Sequence, residues 1–191
     1  MTRPSIPAAA LVALLAAPAA AAPQAYVLDP SHSQIVLSCD NLGQSTSWGM
    51  FSGSEGHIAF DAENPSASSV EVAFPVRSML TGWEARFRHC MSPDFLDAAD
   101  DVTVRLVSTG IEVTGEAMAL ITGDLTLNGV TKAVVLDARL NKAGTHPMEG
   151  KPRAGFSATA PVLRSEFGLG AFAPFIGDEV AIRISVGAMA E

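Results

Sequence analysis

Hydrophobic and polar positions alternate with a period of two over most of the chain. Val70, Val72, Phe74 and Val76 alternate with Glu71, Ala73, Pro75 and Arg77. The same rhythm returns at Val102, Val104 and Leu106, at Phe156, Ala158, Ala160 and Val162, and at Val180, Ile182, Ile184 and Val186. Each run predicts a strand with one buried face, the habit of antiparallel sheets. Weaker alternation predicts further strands over 26–29, 34–39, 56–62 and 111–117. In LTLNGVTKAVVLDARL, Asn128-Gly129 separates two alternating runs. Both residues tolerate positive φ, so a two-residue hairpin is predicted, with Leu127 facing Val130 and Thr126 facing Thr131. Lys132 then falls on the apolar side, where it must snorkel to water, sit by a bulge or meet an anion.

Three spans break the rhythm. Over 80–99 alternation disappears, and Ser92-Pro93-Asp94 is suited to start a short helical turn, with Ser as N-cap and Pro at the first position. Residues 164–178 (RSEFGLGAFAPFIGD) are rich in Phe and Gly and predict a lid-like loop. Residues 142–153 (KAGTHPMEGKPR) predict a polar surface loop. About eight to ten strands without βαβ spacing or internal repeats give an all-β fold. The favoured form is an antiparallel barrel of about eight strands with one or two short helices, because closure removes exposed edges. A β-sandwich is its rival.

The N-terminus follows another pattern. Arg3 precedes an apolar stretch over about 8–17, and small residues follow at Pro18-Ala19-Ala20-Ala21-Ala22. This layout predicts a secretory signal peptide over 1–22, with cleavage near Ala21 or Ala22. The alternative is an Ala-rich tail. The apolar stretch is too short to span a bilayer, so no stable membrane insertion is expected. Export implies a periplasmic location in a bacterium and leaves a single domain over 23–191. The formal net charge of −8 falls to about −9 once Arg3 is removed, which disfavours nucleic acid and anionic membrane surfaces as partners.

Two cysteines, Cys39 and Cys90, remain in the mature chain. In an oxidising compartment a disulfide between them would contribute about 4 kcal/mol; the competing reading is two separate small apolar residues. His32, His57, His89 and His146 lie far apart, without H-x-H, H-E-x-x-H or C-x-x-C, so no metal site is assigned. There is no G-x-S-x-G, and His89 beside Cys90 rarely gives proton-transfer geometry. No catalytic residue or cofactor is assigned. A barrel with apolar inward positions leaves two readings open: an amphiphile site with apolar walls, or a core filled by its own side chains.

The segments YVLDPSHSQIVL, GMFSGSEGHIAFD, HCMSPDFLDA, GDLTLNGVTKAVVL, GFSATAPVLRSEFGLG and GDEVAIRIS, in this order, resemble the YceI-like family of periplasmic, lipocalin-like barrels. The resemblance implies a tunnel that binds and carries a long isoprenoid of the polyprenyl phosphate or quinone type, and a homodimer as the assembly. The candidate ligand-binding residues on strands are Leu37, Asn41, Trp48, Phe51, Phe60, Phe74 and Phe156. Those on the irregular spans are Arg86, His89 and Phe95, then Arg164, Phe167 and Phe172. The family's usual His-Leu-Gly reads Asn41-Leu42-Gly43 here, and its Arg-Asp-x-His-Leu reads Arg86-Phe87-Arg88-His89-Cys90, followed by Met91 for a common Arg. These departures imply a more apolar rim with an altered head-group choice. Two other readings are an enzyme acting on such a lipid, with His89 as acid or base, and a structural or stress-response protein with a filled core.

Overall fold

The fold is a closed antiparallel barrel of eight strands, seen in a computed structural model that describes residues 22–191. The segment read as a signal peptide lies outside the described residues, apart from Ala22. Nine strands are formed in chain order: β1 (Gln24–Asn41), β2 (Ser45–Phe51), β3 (Glu55–Phe60), β4 (Ser69–Pro75), β5 (Thr103–Gly115), β6 (Met118–Leu127), β7 (Val130–Thr145), β8 (Pro152–Leu163) and β9 (Ile176–Ala190). β2 and β3 share one edge of β1. β2 pairs with its second half, from Ile35↔Phe51 to Asn41↔Ser45, and β3 with its start, from Gln24↔Phe60 to Val27↔His57. They act as one strand broken at 52–54, which reduces nine strands to eight staves. β9 closes onto the other edge of β1, from Tyr26↔Ala190 to Asn41↔Ile176. This closure rules out the sandwich.

Several strands expected as separate are single. Residues 26–29 and 34–39 both belong to β1, whose register shifts between Asp29 and Gln34. The runs starting at Val102 and Ile111 both belong to β5, which shifts between Ser108 and Gly110. A bulge inserts a residue and reverses the phase of alternation, so one long strand reads as two short ones. Residues 142–153, expected as a loop, are strand at both ends: β7 runs to Thr145 and β8 begins at Pro152, so the loop itself is 146–151. Lys142 pairs with Gly155 past a shift at Leu140.

The hairpin follows its turn chemistry. Asn128 and Gly129 have φ of 53° and 72°, and Leu127↔Val130 and Thr126↔Thr131 are the pairs. Lys132 is exposed and reaches water. The one α-helix among the described residues, α1 (Glu84–Cys90), begins before Ser92. Its N-cap is Trp83 and has no side-chain cap bond, so no capping signal marks its start. The Ser92 segment forms a turn instead, where the Phe95 N–H donates to the Ser92 carbonyl at 3.0 Å.

Two apolar clusters pack toward the barrel's two ends. One gathers Ile35, Phe51, Phe74, Val76, Met79, Met91 and Phe167 beneath α1. The other gathers Tyr26, Leu28, Ile58, Phe60, Ala154 and Ala188 near the start of β1. Gly56, at φ 136°, lets β3 press against β4: a Cβ there would lie 2.1 Å from the Glu71 carbonyl oxygen. Gly56→Ala should lower the unfolding free energy by at least about 2 kcal/mol, read as a fall in the urea midpoint at unchanged slope.

Candidate ligand tunnel

Inward positions of the strands enclose a cavity of about 640 Å³ that runs along the barrel axis. That is inside the range of about 300–1,000 Å³ common for ligand pockets. The space exists because bulky residues on some staves face small ones on others. Phe51 and Phe74, with ring centroids 4.9 Å apart, project from β2 and β4. On β7 and β8 the inward cross-strand pair is Ala138↔Ala158, with Ala160 beyond it. Alanines thin that wall and leave the axis open. Between its two ends the wall is almost wholly aliphatic and aromatic.

The two ends differ. At one, the lining is Cys90, Phe95, Leu96, Arg164, Leu169 and Ile176, none of which is exposed. At the other, the lining includes Ala62, Val113, Gly115, Glu116 and Ala117, all exposed, and Val113 is open over 46% of its surface. The tunnel therefore opens between the turn at Pro65–Ala67 and the β5–β6 turn. It is covered at the α1 end. The stretch 86–97, for which a rim was one expectation, is a cover. Phe87, Cys90 and Leu96 pack onto the cluster below it. The His89 ring meets Phe95 edge-on at 4.8 Å, and Phe95 stacks on Phe172 at 5.7 Å, which ties α1 to the 164–175 loop.

Arg164 holds that loop. It is buried, and its guanidinium donates to four backbone carbonyls: Gly177 at 2.8 Å, Ala171 at 2.8 Å, Ile176 at 2.7 Å, and Leu169. Beside it, Asp178 accepts from the Ser165 hydroxyl at 2.6 Å and the Ser165 N–H at 2.9 Å. The hydroxyl's hydrogen bond is the main force holding the Asp178 carboxyl below its ordinary pKa.

The expected site residues divide accordingly. Leu37, Phe51, Phe60, Phe74 and Phe156 line the tunnel, and Phe95 and Arg164 line its covered end. Asn41 donates to the Ser45 hydroxyl at 3.3 Å and does not line the cavity. Trp48 points outward, since Gly49 and Phe51 hold the buried phase of β2. Arg86 and His89 are exposed on α1, away from the lining, and Arg86 donates to the Thr81 carbonyl at 3.0 Å. Phe167 is wholly buried in the core beneath the cover, and Phe172 is half-exposed on its outer stack. Cys39 and Cys90 both line the covered end as free thiols, not as the disulfide entertained from the sequence. Burial pushes both thiols above their ordinary pKa, which suppresses the thiolate needed for exchange. Sequence reasoning favoured aromatics and passed over Ile121, Leu136, Ile182 and Ile184, which also form the wall. Strand parity marks them.

A polar cluster sits outside the barrel at the β1 bulge. Asp29 accepts from the Ser31 hydroxyl at 2.6 Å, from His32 Nδ1 at 2.8 Å and from Arg153 Nη2 at 3.0 Å. The Ser31 hydroxyl, followed by the bond to His32, holds the Asp29 carboxyl down at about 2 against burial. Arg153 also lies 3.5 Å from Glu149, so the cluster joins the bulge to the β7–β8 loop.

A family model described as YceI-like domain matches residues 26–188. A UPF0312 protein of Pseudomonas savastanoi pv. phaseolicola is 40% identical over 172 residues, covering 88% of each chain. Among solved structures, the chain is similar to a YCEI protein of Campylobacter jejuni, with a TM-score of 0.71 at 26% identity, over 80% of this chain and 90% of that one. It also shares its fold with a polyisoprenoid binding domain from Saccharophagus degradans, with a TM-score of 0.68 at 14% identity, over 88% and 99% of the chains.

Arg164→Ala should leave its carbonyls without donors and lower stability by about 3 kcal/mol. Amide exchange over 168–177 should accelerate more than exchange elsewhere. Asp29 has a folded pKa below its unfolded value of 3.8, so its contribution is complete above about pH 4 and is lost as pH falls through about 2. Asp29→Asn should flatten the acid side of the stability curve between those values, measured by chemical denaturation at each pH.

Proposed function

The chain belongs to the YceI-like domain family, and on that premise we propose that it binds and carries a long-chain isoprenoid lipid, of the polyprenyl phosphate or quinone type, in its tunnel. The observation that carries this reading is the elongated apolar cavity, open at one end only. Burial contributes about 0.8 kcal/mol per methylene. A tail of about twenty carbons thus represents about 16 kcal/mol before ordering costs, close to the ceiling for non-covalent affinity. Affinity needs no polar code. The tail enters between the Pro65–Ala67 turn and the β5–β6 turn and runs toward the cover. The polyisoprenoid binding described for the Saccharophagus degradans domain supports this assignment through the shared fold.

The working compartment is the periplasm. The signal-peptide pattern over 1–22 supports it, and no helix among the described residues is long and apolar enough to cross a membrane. The protein acts as a carrier and not as an enzyme: His89, the one residue considered as acid or base, sits on the cover's exposed side, away from the tunnel lining.

Identification of the lipid that co-purifies, by organic extraction and mass spectrometry, is the direct test; its absence from repeated preparations would count against carriage. Ala158→Trp places an indole in the void, between its cross-strand neighbours Ala138 and Ile184. It should weaken binding of an apolar fluorophore such as N-phenyl-1-naphthylamine at least tenfold, with the unfolding midpoint little changed. Val113→Glu at the mouth should also weaken binding, whereas Phe172→Ala at the covered end should not.

A further inference from the structure

The covered end of the tunnel is built from two directions. From the wall, Ile35, Leu37 and Cys39 follow one another on the inward face of β1, and the last inward row pairs Cys39 with Val180 and Val180 with Val162. From the cover come Cys90, Phe95 and Leu96. Cys39 and Cys90 are both half-buried, and both line the cavity. Each is smaller than Phe95, Leu96, Leu169 and Ile176, which close the same end. Beyond burial, Arg86 and then Cys39 act on the Cys90 thiol, which places the two cysteines within electrostatic reach of each other. The void therefore ends in a recess between two small side chains, one on the wall and one on α1.

The cover over this recess is fastened on several sides. Leu80 and Met50 exchange backbone hydrogen bonds of 2.8 and 3.0 Å. Arg77 donates to the Ala98 carbonyl at 3.0 Å and lies 3.0 Å from the Asp100 carboxylate. On the other side, Arg164 binds its four carbonyls, and the His89–Phe95–Phe172 stack joins that loop to α1. A floor held in this way resists displacement by a longer tail, since overfilling a packed interior is costly. Each methylene that enters the tunnel tightens binding about fourfold. A methylene in excess of the tunnel's depth stays at the mouth in water and adds nothing.

We propose that the covered end is a length gauge: the recess between Cys39 and Cys90 receives the end of the tail and sets the longest tail that fits wholly inside, so that the two cysteines are specificity residues for tail length. The proposal rests on the tunnel reading and adds a criterion that is independent of the head group.

A series of n-alkyl maltosides of increasing tail length tests it, each kept below its micelle-forming concentration. The disaccharide is too bulky to follow the tail inside. Affinity, read by displacement of N-phenyl-1-naphthylamine, should rise about fourfold per methylene up to a break and stay flat beyond it. Cys39→Leu on the wall and Cys90→Leu on the cover should each move the break to a shorter tail, with affinities below the break unchanged, which also shows that the variants keep their fold. In the wild type, tails that reach the break should slow alkylation of both thiols by N-ethylmaleimide, read by mass spectrometry, and shorter tails should not. An affinity that climbs without a break, a break unmoved by both substitutions, or thiols protected equally by short and long tails would overturn the gauge while leaving the tunnel standing. Failure of every maltoside to displace the fluorophore would overturn the tunnel and the gauge together.

Discussion

Main-chain pairing between β1 and β9 is the constraint on which the tunnel depends. With β9 laid along β1 from Ala190 to Ile176, the staves are paired on both sides except along β2, whose outer edge meets the chain at the Met50↔Leu80 bridge. Elsewhere backbone donors and acceptors are satisfied within the wall, and the interior is relieved of that task. A sandwich must bring two sheets into contact to bury its inner faces. A closed sheet can bury them around a void, provided that side chains at the ends stop the wall from collapsing. The two clusters, around Phe167 and Met91 at one end and Tyr26 and Ala188 at the other, supply that support.

The same division of labour explains the buried charge at Arg164. A lone guanidinium in an apolar interior would be expensive, and here backbone carbonyls at 169, 171, 176 and 177 surround it. The arginine draws a loop with little regular structure over the barrel end. The aromatic stack of His89, Phe95 and Phe172 then joins that loop to α1. Positive charge at this end is committed to carbonyls, which removes the most obvious candidate for gripping an anionic head group.

Much of the barrel was legible because alternation is a direct record of which residues face inward. The wall runs at Val70–Val76, Phe156–Val162 and Val180–Val186 were readable as they stand, and Asn128-Gly129 announced its turn. What alternation conceals is a change of phase. The bulges after Asp29 and Ser108 made β1 and β5 each look like two strands. The site was less legible, for a different reason. Residue type and phase conflict at Trp48: an aromatic on a strand points to the tunnel, yet Phe51 on the same strand fixes the opposite parity. Arg164 and Phe167 share a short span, yet one caps carbonyls and the other fills the core. Nothing local distinguishes those roles from ligand contact, since both depend on what the chain brings near from β9.

The departures in the covering span take on another meaning once its position is fixed. Phe87, Cys90 and Met91 stand where the resembling family carries an acid, a Leu and an Arg, and at a rim they would have implied a weakened grip on a head group. In this fold they lie over the closed end. Met91 is buried in the core, and Phe87 and Cys90 pack against it, with the Arg77 guanidinium over the Phe87 ring at 5.7 Å. Replacing charged groups with apolar ones there seals the tunnel's floor instead of retuning its mouth. Charged groups on the lining sit at its two ends, Glu116 and Arg139 at the mouth and Arg164 under the cover. On the proposed carrier reading, discrimination between the polar ends of amphiphiles therefore falls to the mouth, and for that purpose the floor has only to be dry.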